Sequence, residues 1–123
     1  MEKTVLIEGK EVKLKSSAAL PRIYRVKFGR DLFSDFYKIQ RDAKKEDNQS
    51  VLPASMMEIF ENIAYLMAKH ADPSQPDTIE EWLEQFSNAF SVYKIMPDVM
   101  EMWTEENKQT VTAKKKDAPL TEE

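Results

Sequence analysis

Residues 53–70 read PASMMEIFENIAYLMAKH, and the spacing within that stretch decides the fold. Met56, Ile59, Phe60, Ile63 and Met67 recur three and four apart, which marks one face of a helix. Ala64, Tyr65, Leu66 and Ala68 widen the face until it covers most of the circumference. A helix apolar nearly all round belongs at the centre of a domain, so the other elements are expected to pack around it. Pro53 suits its first turn.

Upstream, Val5-Leu6-Ile7-Glu8 and Glu11-Val12-Lys13-Leu14-Lys15 are short, β-branched-rich runs around Gly9-Lys10, and the second alternates apolar Val12 and Leu14 with charges, the pattern of a β-hairpin. Two strands alone are marginal in water, so the Val12 and Leu14 face must lie on the helices. After Ser16-Ser17, read as a cap, Leu20, Ile23, Tyr24 and Phe28 keep helical spacing. Gly29 interrupts that pattern. Leu32, Phe33, Phe36, Tyr37 and Gln40 resume it, giving one kinked helix or two consecutive ones up to about Lys44, with Asp31 and Asp35 at the second start.

Downstream, residues 44–50 (KKEDNQS) lack any period and read as a loop. Residues 72–77 (DPSQPD) form a turn, after which Thr78-Ile79-Glu80-Glu81 has the form of a capping box. It opens a helix with the stripe Ile79, Trp82, Leu83, Phe86, Phe90 and Tyr93. Pro97 starts a last helix bearing Val99, Met100, Met102 and Trp103. Residues 109–123 (QTVTAKKKDAPLTEE) hold too little apolar surface to offset the entropy of ordering them. The expected architecture is therefore mainly α: a small N-terminal β-hairpin packed on a compact bundle of four to five helices over residues 1–108, then a disordered tail over 109–123.

Composition narrows the function. The 123 residues, 41% hydrophobic and 33% charged, suit a single domain. Without cysteine there is no thiol catalysis, disulfide or thiolate metal site. Two glycines, Gly9 and Gly29, write no phosphate-cradling motif. The longest uncharged runs fall well short of the ~18 apolar residues of a membrane span, and Met1-Glu2-Lys3-Thr4 opens no signal-peptide core, so a cytoplasmic setting is expected. His70, the sole histidine, continues the central helix's stripe and reads as a structural or C-terminal capping residue. Glu58 with Glu61, the Glu80-Glu81-Glu84 group and Glu101 with Glu105 stand at helical spacing without an E-x-x-H partner, as solvated faces do. No G-x-S-x-G elbow is present. The chain is expected to be neither an enzyme nor a cofactor or metal binder.

Charge and methionine point instead to macromolecular contacts. The net charge is -4, yet residues 10–45 carry eleven basic and four acidic side chains, whereas residues 46–123 carry six and sixteen. Such asymmetry steers charged partners or aligns copies of one chain, although solvated helix faces also produce it. Arg22, Arg25, Lys27 and Arg30 near Tyr24 raise nucleic-acid binding as an alternative, and the acidic remainder counts against it. Six internal methionines are many for this length, because methionine fills irregular cores and lines surfaces that accept varied apolar helices. Met56 and Met67 read as core. Met96, Met100, Met102 and Trp103 are the candidate partner-binding residues, receiving an apolar helix from another protein or another copy.

Taken in order, IEGKEVKLK (7–15), PRIYRVKFGRDL (21–32), AYLMAK (64–69) and TIEEWLEQF (78–86) resemble the tail assembly chaperones of long-tailed bacteriophages and prophages of Gram-positive bacteria. Similar proteins open on an I-x-G-K-E hairpin, carry a basic helix ending F-G-x-D-L, and later have a helix opening T-x-E-E-x-L. The likeness spans about residues 5–105. It implies a protein of the host cytoplasm that binds the tape measure protein, keeps that long helical chain soluble while tail tube subunits assemble, and is absent from the finished virion. It also implies self-association along the client and no catalytic residues. Members are commonly made in two lengths by ribosomal frameshifting, for which Ala113-Lys114-Lys115-Lys116 fits A-rich slippery codons; by itself that run is an ordinary lysine cluster. A structural head or tail component is the further alternative.

Overall fold

A computed structural model of the chain describes residues 1–44 and 54–104. The expected loop over 44–50 falls largely outside those residues. So do Pro53, the domain end at 108 and the tail over 109–123.

The chain is mainly helical, with a two-stranded antiparallel sheet at its N-terminus. β1 (Glu2–Ile7) pairs with β2 (Lys10–Lys15) in the register Ile7↔Lys10, Val5↔Val12 and Lys3↔Leu14. The connection is Glu8-Gly9, with φ of 54° and 79°. Positive φ at both central residues matches the right-handed twist of paired strands. Alternation then sends Val5, Ile7, Val12 and Leu14 to one buried face, and β2 lays that face on the central helix.

That helix, α3 (Ala54–Ala71), also packs against four other helices. Every residue from Ile63 to Ala68 is buried, as are Ile59 and Phe60. Each large side chain so buried contributes about 1.5–3 kcal/mol from apolar area alone.

α1 (Leu20–Phe28) and α2 (Leu32–Lys44) are two separate helices. Gly29 divides them in the left-handed conformation at φ 68°, its N–H donating to Arg25 O at 2.8 Å. A glycine adopts that geometry without the Cβ strain of other residues. Asp31 Oδ1 accepts from Phe33 N at 3.0 Å and so caps α2. The expected cap of α1 is displaced. Ala19 is the N-cap and makes no side-chain bond, while Ser17 Oγ accepts from Ala19 N and contacts His70 Nε2 at 2.9 Å. Ser17 thus ties the approach to α1 to the end of α3.

The helix expected to run from Ile79 through Tyr93 is broken in two, α4 (Ile79–Leu83) and α5 (Ala89–Tyr93). Thr78 does cap α4, accepting from Glu81 N at 3.2 Å. The break has a cause far away in sequence. Glu8, at the hairpin tip, accepts hydrogen bonds from Ser87 N, Asn88 N and the hydroxyls of Ser87 and Ser91. Asn88 Oδ1 meanwhile accepts from Phe90 N and starts α5. These bonds compete with a continuous helical ladder and hold the interruption open. The last helical run covers residues 96–104. Lys3 anchors it to β1 through Asp98 at 2.9 Å and Glu101 at 2.5 Å.

Candidate functional site

The 96–104 helix carries the four residues expected to bind a partner. Met96, Met102 and Trp103 are 5%, 1% and 6% exposed, and Met100 is half-buried against the core. The fold places these candidate partner-binding side chains in or against the core. Three of the four close the core, because Phe36 of α2 offers Trp103 a stacking partner. The two rings lie 4.2 Å apart and 4° from parallel.

What remains open is the neighbouring face of α2. Phe33 is 55% and Tyr37 63% exposed, one turn apart. Phe33 leans on Trp103 at 5.1 Å, Arg41 reaches over the Tyr37 ring at 6.0 Å, and Gln40 meets Thr104 at 3.5 Å. An aromatic pair thus stands half in water on one turn of α2, with Phe33 resting on the buried tryptophan and Tyr37 covered by Arg41. Singly exposed apolar residues are ordinary; two aromatics on one helix turn, continuous with a core tryptophan, form a ledge for an apolar partner. Sequence reading placed both in the core stripe. Among the described residues of α2, Leu32, Phe36 and Ile39 fill that role, since successive residues turn about 100° and the stripe facing α3 is too narrow for Phe33 and Tyr37 as well. The 33, 37, 41 spacing was the available signal.

The corner between α1 and α2 fixes the direction of this face. Asp35 is 1% exposed and accepts from Tyr24 Oη at 2.6 Å and from Arg30 Nε and Nη2 at 2.8 Å each. Burial pushes the Asp35 carboxyl up, but the hydrogen bonds from Arg30 and Tyr24 outweigh it and hold the group below its ordinary range. The Tyr24 hydroxyl is raised by its own burial and by that carboxylate.

The basic cluster divides. Arg22 and Arg25 are exposed, Arg30 is committed to Asp35, Lys27 lies over the Tyr65 ring at 5.8 Å, and Tyr24 is buried. Two of the four cations are thus engaged within the chain, Arg30 by a carboxylate and Lys27 by a ring. His70, at the end of α3, is lowered from its ordinary value by burial, with Lys15 and the N-terminal ammonium adding to the effect. Among the described residues no three acidic or histidine side chains gather as a metal site, and no helix is long and apolar enough to cross a membrane.

Comparison of the chain with protein-family models, curated proteins and solved structures finds no match.

Proposed function

We propose that this chain is a non-catalytic assembly chaperone of the host cytoplasm, of the phage-tail type that its sequence resembles. Its client would be a long, mostly helical protein, the tape measure protein, with the tail tube protein as the assembling partner that later displaces it. The observation that carries the reading is the Phe33–Tyr37 ledge over Trp103. An extended helical client exposes apolar stripes, and a small domain presenting aromatics on a rigid helix covers such stripes at low cost in side-chain entropy. Half-buried Met100, one turn before Trp103, adds an adaptable edge.

Co-expression with the tape measure protein tests the function. The client's soluble fraction is expected to rise with the wild-type chain and to fall back with Phe33→Ser/Tyr37→Ser. Unchanged client solubility, or this chain in purified particles, contradicts the proposal. The second outcome would favour a structural head or tail component.

A further inference from the structure

Residues 79–93 keep the spacing of one helix but fold as two, and the hairpin tip holds backbone groups that would join them. In an unbroken helix Ser87 N donates to Leu83 O, Asn88 N to Glu84 O and Ala89 N to Gln85 O. In this chain Ser87 N and Asn88 N donate to the Glu8 carboxylate at 3.0 and 2.9 Å, and Gln85 O accepts from Lys10 Nζ at 2.8 Å. Those rungs of the ladder are thus claimed by one turn of the hairpin. On the α4 side the chain tightens, with Gln85 N and Phe86 N reaching back only three residues, to Trp82 O and Leu83 O. Asn88 is extended, at φ -122° and ψ 125°.

The break has costs that can be read in the fold. Phe90 follows Phe86 at i+4 yet is 62% exposed, whereas Ser91 is turned inside at 6%. Ser91 fits there because its hydroxyl donates to Glu8 at 2.8 Å. Glu8 itself sits at φ 54°, a left-handed backbone that a glutamate keeps only under constraint. The ends of the segment suit the unbroken form: Thr78 caps the start, Glu80 and Glu81 fill the first turn, and Lys94 follows the last residue.

We infer that residues 79–93 are a two-state element latched by the hairpin tip: engaged by Glu8 and Lys10 the helix is broken, and released it closes into one continuous helix. The released state is a defined fold, because the donors and acceptors set free at 83–89 are the ones that pair with each other in a helix. Closure returns Phe90 to the row of Phe86 and Tyr93 and turns Ser91 and Val92 outward in exchange. A groove of about 260 Å³ spans the break, lined by Leu83 and Phe86 on one side and Ala89 and Val92 on the other. It exists only in the latched state. A contact that claims the Glu8 carboxylate therefore removes the groove and withdraws an exposed phenylalanine while touching neither. The inference stands independently of the chaperone reading.

Two variants of the full chain separate the latch from a purely local cause, the Asn88 side chain that caps Phe90 N at 2.8 Å. NMR reads the state through the backbone carbon shifts of residues 86–88 and through the solvent isotope shift of a fluorine label on the Phe90 ring. The wild type is expected to show non-helical shifts at 86–88 and a wet Phe90. Asn88→Ala is expected to keep both, since the bonds from backbone N–H groups to Glu8 survive. Glu8→Ala is expected to move all three residues to helical values and to remove most of the Phe90 isotope shift. Should Glu8→Ala fail to fold, Glu8→Gln is read in its place; its weaker, neutral acceptor is expected to give signals of both states. Residues 86–88 that stay wholly non-helical in a folded Glu8 variant overturn the inference. So does an Asn88→Ala chain that closes while Glu8 is intact, which would assign the break to the local cap.

Discussion

Removing the Arg30 side chain probes the corner that joins α1 to α2. In the folded chain Arg30 Nε and Nη2 lie 2.8 Å from the Asp35 carboxylate, and Tyr24 Oη donates to it at 2.6 Å. The burial is lopsided, with 42% of the Arg30 side chain exposed against 2% for Asp35. Arg30→Ala therefore loses little on the arginine side but strands a sealed carboxylate with one neutral donor. Breaking a buried pair this way costs about 3–5 kcal/mol, and the exposure of Arg30 screens the attraction enough to place the expectation at about 3. Asp35→Asn keeps an oxygen for Tyr24 and lets Arg30 swing into water, so about 1.5–2 kcal/mol is expected. In the Arg30→Ala background, burial is opposed chiefly by the Tyr24 hydrogen bond, so the Asp35 carboxyl is held down less than in the wild type. Adding Asp35→Asn there is expected to cost almost nothing, a coupling of at least about 1.5 kcal/mol.

The sign with pH follows from the same geometry. In the wild type the carboxyl is held down, so its contribution is present above the ordinary value of 3.8 and lost as pH falls below it. In Arg30→Ala the carboxyl is held down less, so less stability is lost on acidification through the same region. Urea unfolding of the wild type, both single variants and the double variant, at matched slopes, measures both effects. Costs that add to within about 0.5 kcal/mol would refute the reasoning, because independent sites add and a coupled buried pair does not.

Three other outcomes follow from the same structure. Gly29→Ala meets no atom within 4 Å, so its cost is purely that of the left-handed backbone, about 1–2 kcal/mol; a melting temperature unchanged or raised contradicts the αL cap. Glu8 is lowered from 4.5 to about 2, chiefly by the Ser87 backbone N–H and then by Ser91 and Asn88, so stability is full above pH 4.5 and declines toward pH 2. Glu8→Gln should flatten that acid limb, and an identical limb in both proteins removes the assignment. The buried Trp82 indole N–H has no hydrogen-bond partner among the described residues, so Trp82→Phe sheds ring area but also an orphan donor, and unfolding should show a loss below about 1.5 kcal/mol; a loss above about 3 means that the N–H is bonded after all.

How much of this was legible in the sequence depends on the range of the cause. The hairpin and α3 were readable because alternation, helical period and the Gly9 turn are local signals. Gly29 announced an interruption but not its kind; Arg30 and Asp35 settle that only once Tyr24 is brought beside them. The split between α4 and α5 was not legible. The carboxylate that holds it open lies 79 to 83 residues away, while the local stripe from Ile79 to Tyr93 keeps perfect helical spacing. The same holds for the candidate site. Trp103 is buried because Phe36 receives it, and Phe33 and Tyr37 are exposed because α3 accepts only the Leu32, Phe36 and Ile39 edge of α2. Apolar identity was plain in both helices; which apolar face met the core was a tertiary fact.

The most direct measurement is photo-crosslinking from single sites. A photoreactive phenylalanine analogue replaces Tyr37 in one preparation and Leu6 in another, both positions more than 60% exposed and both tolerant by the same argument. The full chain is then irradiated while co-expressed with the long helical client. The account predicts a crosslink to the client from position 37 and none from position 6 on the hairpin's outer face. Equal crosslinking from the two positions, or a folded chain that captures the client only from position 6, would contradict it.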